Sequence, residues 1–425
     1  MKKSIALSTT IASWIRKLSF SLIVTGVWLS PSLAETKKVE IVGSPTVYED
    51  RVTVRIKVKG AEDKPLMGLT ETDFSLFVDD EEVQFRSKDW KSPEETIPPP
   101  AWIIVLLDLS GSMRELDSRG TTKLQGAINA IEKFTDLAAN RGGDTKISIV
   151  PFGEPGPWCP GFSVDKNTLD KFFKAGDFKL QNNLDNLAKS TPCASTNLYQ
   201  PLNQAIKFLG NTDDSRFYLQ EGEKGLEPRL SIILLSDGYH NKPNEEQDFE
   251  TLKRLLKRNA QIIVHTLGYG LTPEQLGQKY KLGRAATKQD VGKKVPEEEF
   301  VDRERLAEIA RLTGGIGEFS GDAQKIAENL QLFLNALLGE YQITYTEPHP
   351  ERAAQPNLQV AVQSSKDNSP VLSQPKPYRV TVFGRSLPSK TRLLMLVSTL
   401  AVMGLGGVVP FWLWAKELKQ QAMDN

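Results

Sequence analysis

Between residues 101 and 338, short apolar runs alternate with stretches of helical periodicity. A continuous apolar run lies at 102–107, and further apolar-rich segments predicted as strands lie at 147–150, 230–235 and 261–267. Runs of this length and composition are typical of strands buried on both faces. Apolar residues recur with helical spacing at 124–139, 198–209, 249–258, 303–312 and 323–338. This alternation predicts a mostly parallel sheet covered by helices on both faces.

Strand-like alternation of apolar and polar residues, clearest at 52–58, marks the flanks of this region. Before it, alternating segments lie at 39–42, 52–58 and 74–78; after it, they lie at 341–345, 358–362 and 378–382. Three strands on either side are too few for a core of their own. We therefore expect residues 35–100 and 340–385 to form one β-sandwich, with residues 101–339 inserted as an α/β domain. Two separate β modules are the alternative.

Two stretches depart from the alternation of strands and helices. Residues 151–186 contain a loop rich in glycine and proline and have the character of an insertion. Residues 269–300 are rich in Lys, Gln and Glu, which favours a solvated surface excursion, with a partner surface as the alternative.

Residues 1–34 have the pattern of a secretory signal peptide. Positive charges come first, an apolar stretch follows at 18–29, and the segment ends on Ser32-Leu33-Ala34. This arrangement predicts cleavage after Ala34, with an uncleaved anchor helix as the alternative.

Residues 393–415 carry no charge and are long enough to cross a bilayer as a helix. Trp412 and Trp414 fit the aromatic belt of a membrane interface. A buried core helix is the alternative. With the signal peptide, this helix predicts a single-pass membrane protein whose body lies outside the cytoplasm, in a periplasm or at a cell surface, with a cytoplasmic tail at 416–425. The charges that flank the helix do not establish its orientation independently.

Charge and cysteine usage narrow the classes of function. Lys and Arg number 53, as do Asp and Glu, so the basic excess usual in nucleic-acid binders is absent. The two cysteines, Cys159 and Cys193, form no CxxC motif, and the three histidines form no HExxH motif. An exported body favours a Cys159–Cys193 disulfide, with two free thiols as the alternative. The arrangement of the signal peptide, together with the small number of cysteines, favours a protein of the bacterial cell envelope.

Oxygen-bearing side chains follow the predicted strands at three places. Asp108, Ser110 and Ser112 follow the first strand, Thr196 precedes a helix, and Asp237 follows the strand at 230–235. Ligands of parallel α/β sheets bind outside the carboxyl ends of the strands. Two carboxylates and three hydroxyls are a donor set for a hard cation such as Mg²⁺. Helix caps and loop hydroxyls are the alternative interpretation.

The pattern DLSGS at 108–112, followed by Thr196 and by Asp237 in the context LLSDG, resembles the metal-ion-dependent adhesion site of von Willebrand factor type A domains. The resemblance covers about residues 101–339. It implies a Rossmann-like fold holding one Mg²⁺ or Mn²⁺, with Ca²⁺ not distinguished. Ser110, Ser112 and Thr196 would touch the ion directly or through water, as would Asp108 and Asp237. A partner's Asp or Glu carboxylate would fill the open coordination position.

The resulting hypothesis is a non-enzymatic, cation-dependent adhesion or assembly module at a membrane, with a protein partner and no nucleic-acid partner. An accessory subunit of a membrane complex or channel is the first alternative. A metal-dependent, phosphatase-like enzyme is less favoured, because DLSGS lacks the second aspartate of a DxD nucleophile motif.

Overall fold

The computed structural model describes residues 35–220, 225–238, 240, 243–296, 299–348, 354–364, 367, 369–380 and 389–423. The predicted signal peptide at 1–34 lies outside the described residues. The strands are β1 (Lys38–Ile41), β2 (Thr46–Tyr48), β3 (Arg51–Lys59), β4 (Phe74–Val78), β5 (Glu81–Val83), β6 (Trp90–Lys91), β7 (Ala101–Asp108), β8 (Thr145–Phe152), β9 (Phe173–Lys174), β10 (Arg229–Ser236), β11 (Ile262–Tyr269), β12 (Gly317–Ser320), β13 (Tyr341–Thr346), β14 (Asn357–Val362), β15 (Val371–Leu372) and β16 (Lys376–Pro377).

The helices follow the same chain order. They are α1 (Lys123–Asn140), α2 (Lys166–Leu169), α3 (Phe178–Ala188), α4 (Tyr199–Leu209), α5 (Glu245–Arg258), α6 (Pro273–Lys279), α7 (Arg303–Arg311), α8 (Ala323–Leu338), α9 (Ser389–Met403) and α10 (Val409–Gln421).

The central sheet has the strand order β12-β11-β10-β7-β8-β9. Its neighbours pair in parallel, except for β9, which is antiparallel to β8 at one edge. Every residue of β7 is buried, as the continuous apolar run predicted. Alternate β7 side chains enter two different cores, since Ile103 packs in one cluster and Ile104 in the other. The predicted parallel-rich α/β architecture is confirmed.

Helices cover both faces of this sheet. On one face, α1, α3 and α8 contribute apolar residues to a shared cluster with the strands. On the other face, α2, α4, α5 and α7 do the same. Burial of these two apolar faces, at roughly 25 cal/mol per Å² of apolar area removed from water, provides the main driving force that holds the layers together.

Two antiparallel sheets form a sandwich-like unit from both flanks of the chain. One has the order β1-β3-β13-β6, with β2 also on β3; the other has the order β15-β14-β4-β5, with β16 also on β14. In both sheets, a strand from before the α/β region pairs with one from after it, β3 with β13 and β4 with β14. Residues of both sheets share one apolar cluster.

A buried carboxylate lies where the chain passes from α8 into β13. Glu340 is fully buried, and its Oε1 accepts a hydrogen bond of 2.7 Å from Nη2 of Arg229. Its Oε2 lies 3.3 Å from Nη1 of Arg55. Because Arg229 belongs to the parallel sheet and Arg55 to β3, this carboxylate links the α/β region to the antiparallel sheets.

The structure adds elements to two of the predicted segments and differs from the expectation in a third. The stretch 151–186, predicted to have the character of an insertion, contains α2, β9 and most of α3, whose Leu169, Leu180 and Leu184 are buried. Residues 269–300 contain α6 and have a small apolar cluster of their own. The strand predicted at 378–382 is wrong for 378–380, which lie outside the strands. The amides of Tyr378 and Val380 nevertheless donate to Pro356 and Ala354 and continue the antiparallel register of β16 with β14. Residues 381–382 lie outside the described residues.

The C-terminal segment is helical through α9 and α10, with a π-helical turn at Gly404–Val408 between them. Residues Leu393–Gln421 are long and apolar enough to cross a membrane. Their large apolar side chains, including Leu396 and Phe411, are exposed. Exposed apolar groups along a helix of this length are what a lipid environment accommodates.

His265 lies in β11, fully buried and stacked on Phe333 at 4.6 Å between ring centroids. Its Nδ1 accepts a hydrogen bond from the amide of Ile316, so Nδ1 carries no proton. Burial, together with the nearby charge of Lys57, lowers the pKa of His265 to about 3. The ring is therefore a neutral core group, as its place in an apolar run suggested.

This histidine makes stability depend on pH. Its pKa is lowered on folding, so its full contribution is present above the unfolded pKa of about 6.5 and falls as pH drops towards 3. Between pH 7 and pH 4.5 we expect wild type to lose about 2–3 kcal/mol more unfolding free energy than His265→Phe. Urea denaturation at both pH values measures this difference. Equal losses in the two proteins would contradict it.

Candidate functional site

The carboxyl edge of the central sheet brings the predicted site residues together. Strands β7 and β10 are parallel neighbours in a register that aligns Leu107 with Leu235. Asp108 ends β7, and Asp237 follows the last residue of β10. Two carboxylates that are far apart in sequence therefore emerge side by side.

Asp108 is held on both of its oxygens. Its Oδ1 accepts the backbone amide of Ser110 at 2.8 Å, and its Oδ2 accepts the hydroxyl of Ser236 at 2.5 Å. Burial, and next the charge of Asp237, raise the pKa of Asp108 above its ordinary value. Two buried carboxylates in one cluster favour a positive charge nearby.

Asp237 faces the two serines. The hydroxyl of Ser112 donates to its Oδ1 at 2.9 Å, and that of Ser110 lies 3.2 Å from the same atom. The two serine oxygens are 3.1 Å apart. All four side chains are buried, so their oxygens form one cluster with little solvent access.

Thr196 reaches this cluster from a separate loop. The loop runs beside the segment that follows β7, because the amide of Gly111 donates to the carbonyl of Ala194 at 3.0 Å. The Thr196 hydroxyl lies against Gly238, where a Cβ would come within 2.7 Å of its Oγ1. Glycine at 238 thus permits the close approach of Thr196 to the residue that follows Asp237.

Lys123 is a site residue that the sequence pattern did not reveal. It is the first residue of α1, is buried, and places its Nζ 2.7 Å from Oδ2 of Asp237. The same Nζ lies 3.5 Å from Oε2 of Glu115. Burial lowers the pKa of Lys123, but the charge and hydrogen bond of Asp237, with help from Glu115, raise it overall. Ser236 was also missed, although it lies in the same LLSDG segment as Asp237.

The donor set consists of hydroxyl and carboxylate oxygens. Among the described residues, no three His, Cys, Asp or Glu side chains are grouped so as to hold a metal ion. Two carboxylates and three hydroxyls remain, with no nitrogen or sulfur donor. Such a set fits a hard cation such as Mg²⁺, which uses few carboxylates and keeps several waters, and does not fit zinc.

A disulfide-tied loop borders the cluster. Cys159 and Cys193 are bonded, confirming the predicted pair. Glu154 and Ser195 exchange two backbone hydrogen bonds, of 2.9 and 3.1 Å. The loop is therefore attached just ahead of Thr196 by both covalent and hydrogen bonds. Trp158, the residue before Cys159, is 96% exposed.

We expect the double substitution Cys159→Ser, Cys193→Ser to lower the free energy of unfolding by about 3 kcal/mol, because the bridge closes a loop with a sequence separation of 34 residues. If the loop supports Thr196, stabilisation by added Mg²⁺ should fall as well. Thermal unfolding with and without Mg²⁺ measures both effects. An unchanged Mg²⁺ effect would show that the bridge does not shape the site.

Comparison with protein-family models and with curated proteins finds no match. Among solved structures, the pilus adhesin SpaC from Lactobacillus rhamnosus GG is similar at 12% identity and a TM-score of 0.38, covering 83% of this chain and 51% of that chain. This chain thus corresponds to about half the length of the adhesin. The N-terminal domain of TFIIH p34 is similar at 12% identity and a TM-score of 0.32, covering 55% of this chain and 96% of that domain. These TM-scores are too low to support an argument about fold family or function.

Proposed function

We propose that this chain is a cation-dependent protein-binding module, for adhesion or complex assembly, that acts beside a membrane. In this proposal the α/β region is a von Willebrand factor type A domain, and its body lies outside the cytoplasm. The divalent cation is Mg²⁺, with Mn²⁺ or Ca²⁺ as alternatives, and the partner offers an Asp or Glu carboxylate.

The observation that carries the proposal is the oxygen cluster at the edge of the sheet. Ser110 and Ser112 lie within 3.2 Å of one oxygen of Asp237. Asp108 accepts the backbone amide of Ser110, and the hydroxyl of Thr196 lies against Gly238, the residue after Asp237. These five side chains would hold the ion, directly or through water. The bound ion would supply a positive centre for an incoming carboxylate.

Features around the cluster support a protein as the partner. An exposed tryptophan is a candidate contact residue, because tryptophan is enriched among the residues that dominate binding energy in protein interfaces. Trp158 lies on the loop that is bonded to the segment carrying Thr196. The apolar helix at Leu393–Gln421 supports membrane attachment.

The test is thermal unfolding with Mg²⁺ or with a chelator. A cation at about 100 times its Kd should stabilise wild type by roughly 2.7 kcal/mol. We expect Asp108→Ala to abolish this gain, because it removes one of the two carboxylates from the cluster. Asp136→Ala, on an exposed position of α1, is the matched control and should keep the gain. Identical melts of wild type with and without Mg²⁺ would sink the proposal.

A metal-dependent phosphatase is the second candidate, and Lys123 is the observation that favours it. Phosphoryl transfer uses positive side chains near a metal-bound phosphate, and Lys123 lies 2.7 Å from Asp237. Against it, both oxygens of Asp108 accept hydrogen bonds in a buried position, which suits a fixed ligand better than a nucleophile. Turnover of p-nitrophenyl phosphate with Mg²⁺, lost in Asp108→Ala, would favour the enzyme.

A further inference from the structure

Lys123 occupies a position that helix electrostatics and burial both disfavour. It follows the N-cap Thr122 and begins α1, where the helix dipole repels positive charge. Its side chain is 6% exposed, so its ammonium group has lost most of its hydration. The structure offsets these costs with the bond to Asp237 and the nearby Glu115. A cation is therefore built into the oxygen cluster.

Because of Lys123, the two oxygens of Asp237 have different hydrogen-bond partners. Oδ2 is occupied by the ammonium group at 2.7 Å, while Oδ1 faces the hydroxyls of Ser110 and Ser112. The lysine thus orients the carboxylate so that one oxygen points at the serine pair. The positive charge of Lys123 acts on the proposed cation site, because Nζ and the two serine hydroxyls contact opposite oxygens of the same carboxylate.

We propose that Lys123 makes the site select an anionic group on the partner. Its ammonium group makes the net charge of the site one unit more positive than the oxygen ligands alone would. This inference rests on the proposed function. Asp108, Asp237 and Lys123 together have a formal charge of −1 when both carboxylates are ionised. With a divalent cation bound the total is +1, and one partner carboxylate neutralises it.

Without Lys123 the same count gives a different preference. The two carboxylates and a divalent cation sum to zero, so a partner carboxylate would leave the site at −1. Glu115, 3.5 Å from Nζ of Lys123, and Arg114, which donates to the carbonyl of Gly111, carry opposite charges that sum to zero. Both side chains reach solvent, so neither enters this count of buried charges. Lys123 therefore weakens binding of the cation itself and strengthens binding of the carboxylate that follows. The two effects have opposite signs, which distinguishes this role from a purely structural one.

The experiment compares wild type, Lys123→Gln and Lys123→Arg as full-length proteins in detergent. Glutamine keeps a hydrogen-bond donor for Asp237 without the charge, and arginine keeps the charge. Lys133→Gln, exposed on the same helix, is the matched control. Mn²⁺ affinity is measured from the electron spin resonance signal of free Mn²⁺. Acetate binding to the Mn²⁺-loaded protein is measured by water-proton relaxation, which falls when a carboxylate displaces metal-bound water.

For Lys123→Gln we expect Mn²⁺ to bind about tenfold more tightly and acetate about tenfold more weakly, the effect of one unit charge at close range after partial screening. Lys123→Arg and Lys133→Gln should resemble wild type in both measurements. Lys123→Gln weakening both affinities, or changing neither, would overturn the inference while leaving the proposed function intact. If neither wild type nor any variant binds Mn²⁺, the proposed function and the inference about Lys123 are both contradicted.

Discussion

We expect Asp237→Ala to lower the free energy of unfolding by about 3 kcal/mol even in a chelator. The substitution removes the carboxylate that pairs with Lys123 and leaves a buried ammonium group without its main partner. Breaking a buried ion pair from one side costs about 3–5 kcal/mol. We take the lower end because Glu115 lies 3.5 Å from the same Nζ and retains part of the attraction.

A double-mutant cycle with Lys123→Met isolates this effect. Asp237→Ala should cost much less when Lys123 is already methionine, since no buried cation is then left unpaired. The measurement is urea denaturation of the four proteins in chelator. If the losses of unfolding free energy in the two single variants add up to the loss in the double variant, Lys123 and Asp237 do not interact in the folded protein. That result would contradict the role of Lys123 as the buried cation of the site.

We expect Glu340→Ala to lower the free energy of unfolding by about 4 kcal/mol. Its carboxylate is buried between Arg229 of the parallel sheet and Arg55 of β3. Alanine would leave both guanidinium groups facing a largely buried space with no carboxylate. Because Glu340 connects an arginine of the α/β region to an arginine of the antiparallel sheets, its loss should weaken the attachment between these two regions.

Glu328→Ala is the matched control for this substitution. Glu328 forms an exposed ion pair with Lys325 on α8. Exposed pairs contribute little, so we expect almost no change in the unfolding transition. A second, earlier transition in Glu340→Ala would indicate that the two regions have become independent. A single transition at the wild-type position would contradict the prediction.

Much of the α/β region was predictable because each buried strand or helix has its own local pattern of apolar residues. The apolar run at 102–107 predicted β7 within one residue at each end, and the spacing at 323–338 predicted α8. The missed α3 had a readable signal, since Leu180, Leu184 and Leu187 share one helical face behind the N-cap Asp177. The four-residue β12, which contains a glycine, is too short for periodicity to detect.

Candidate ligands were predictable for a different reason. Asp108 and Asp237 each follow an apolar run, and the carboxyl ends of parallel strands meet at one edge of a sheet. That rule brings the two segments together without any coordinates. The rule does not reach Lys123, which begins a helix and meets Asp237 only once α1 has packed on the sheet.

The sequence by itself determined the buried strands, most of the helices, the apolar C-terminal segment and the oxygen-bearing ends of β7 and β10. These features depend on local composition and period, which neighbouring residues specify. Only the tertiary structure decided between one β unit and two on the flanks, because it pairs β3 with β13 and β4 with β14. It alone also showed that Glu340 joins these sheets to the α/β region and that Lys123 pairs with Asp237. Those contacts join residues more than a hundred positions apart, and the register of the strands and the packing of the helices set their distances.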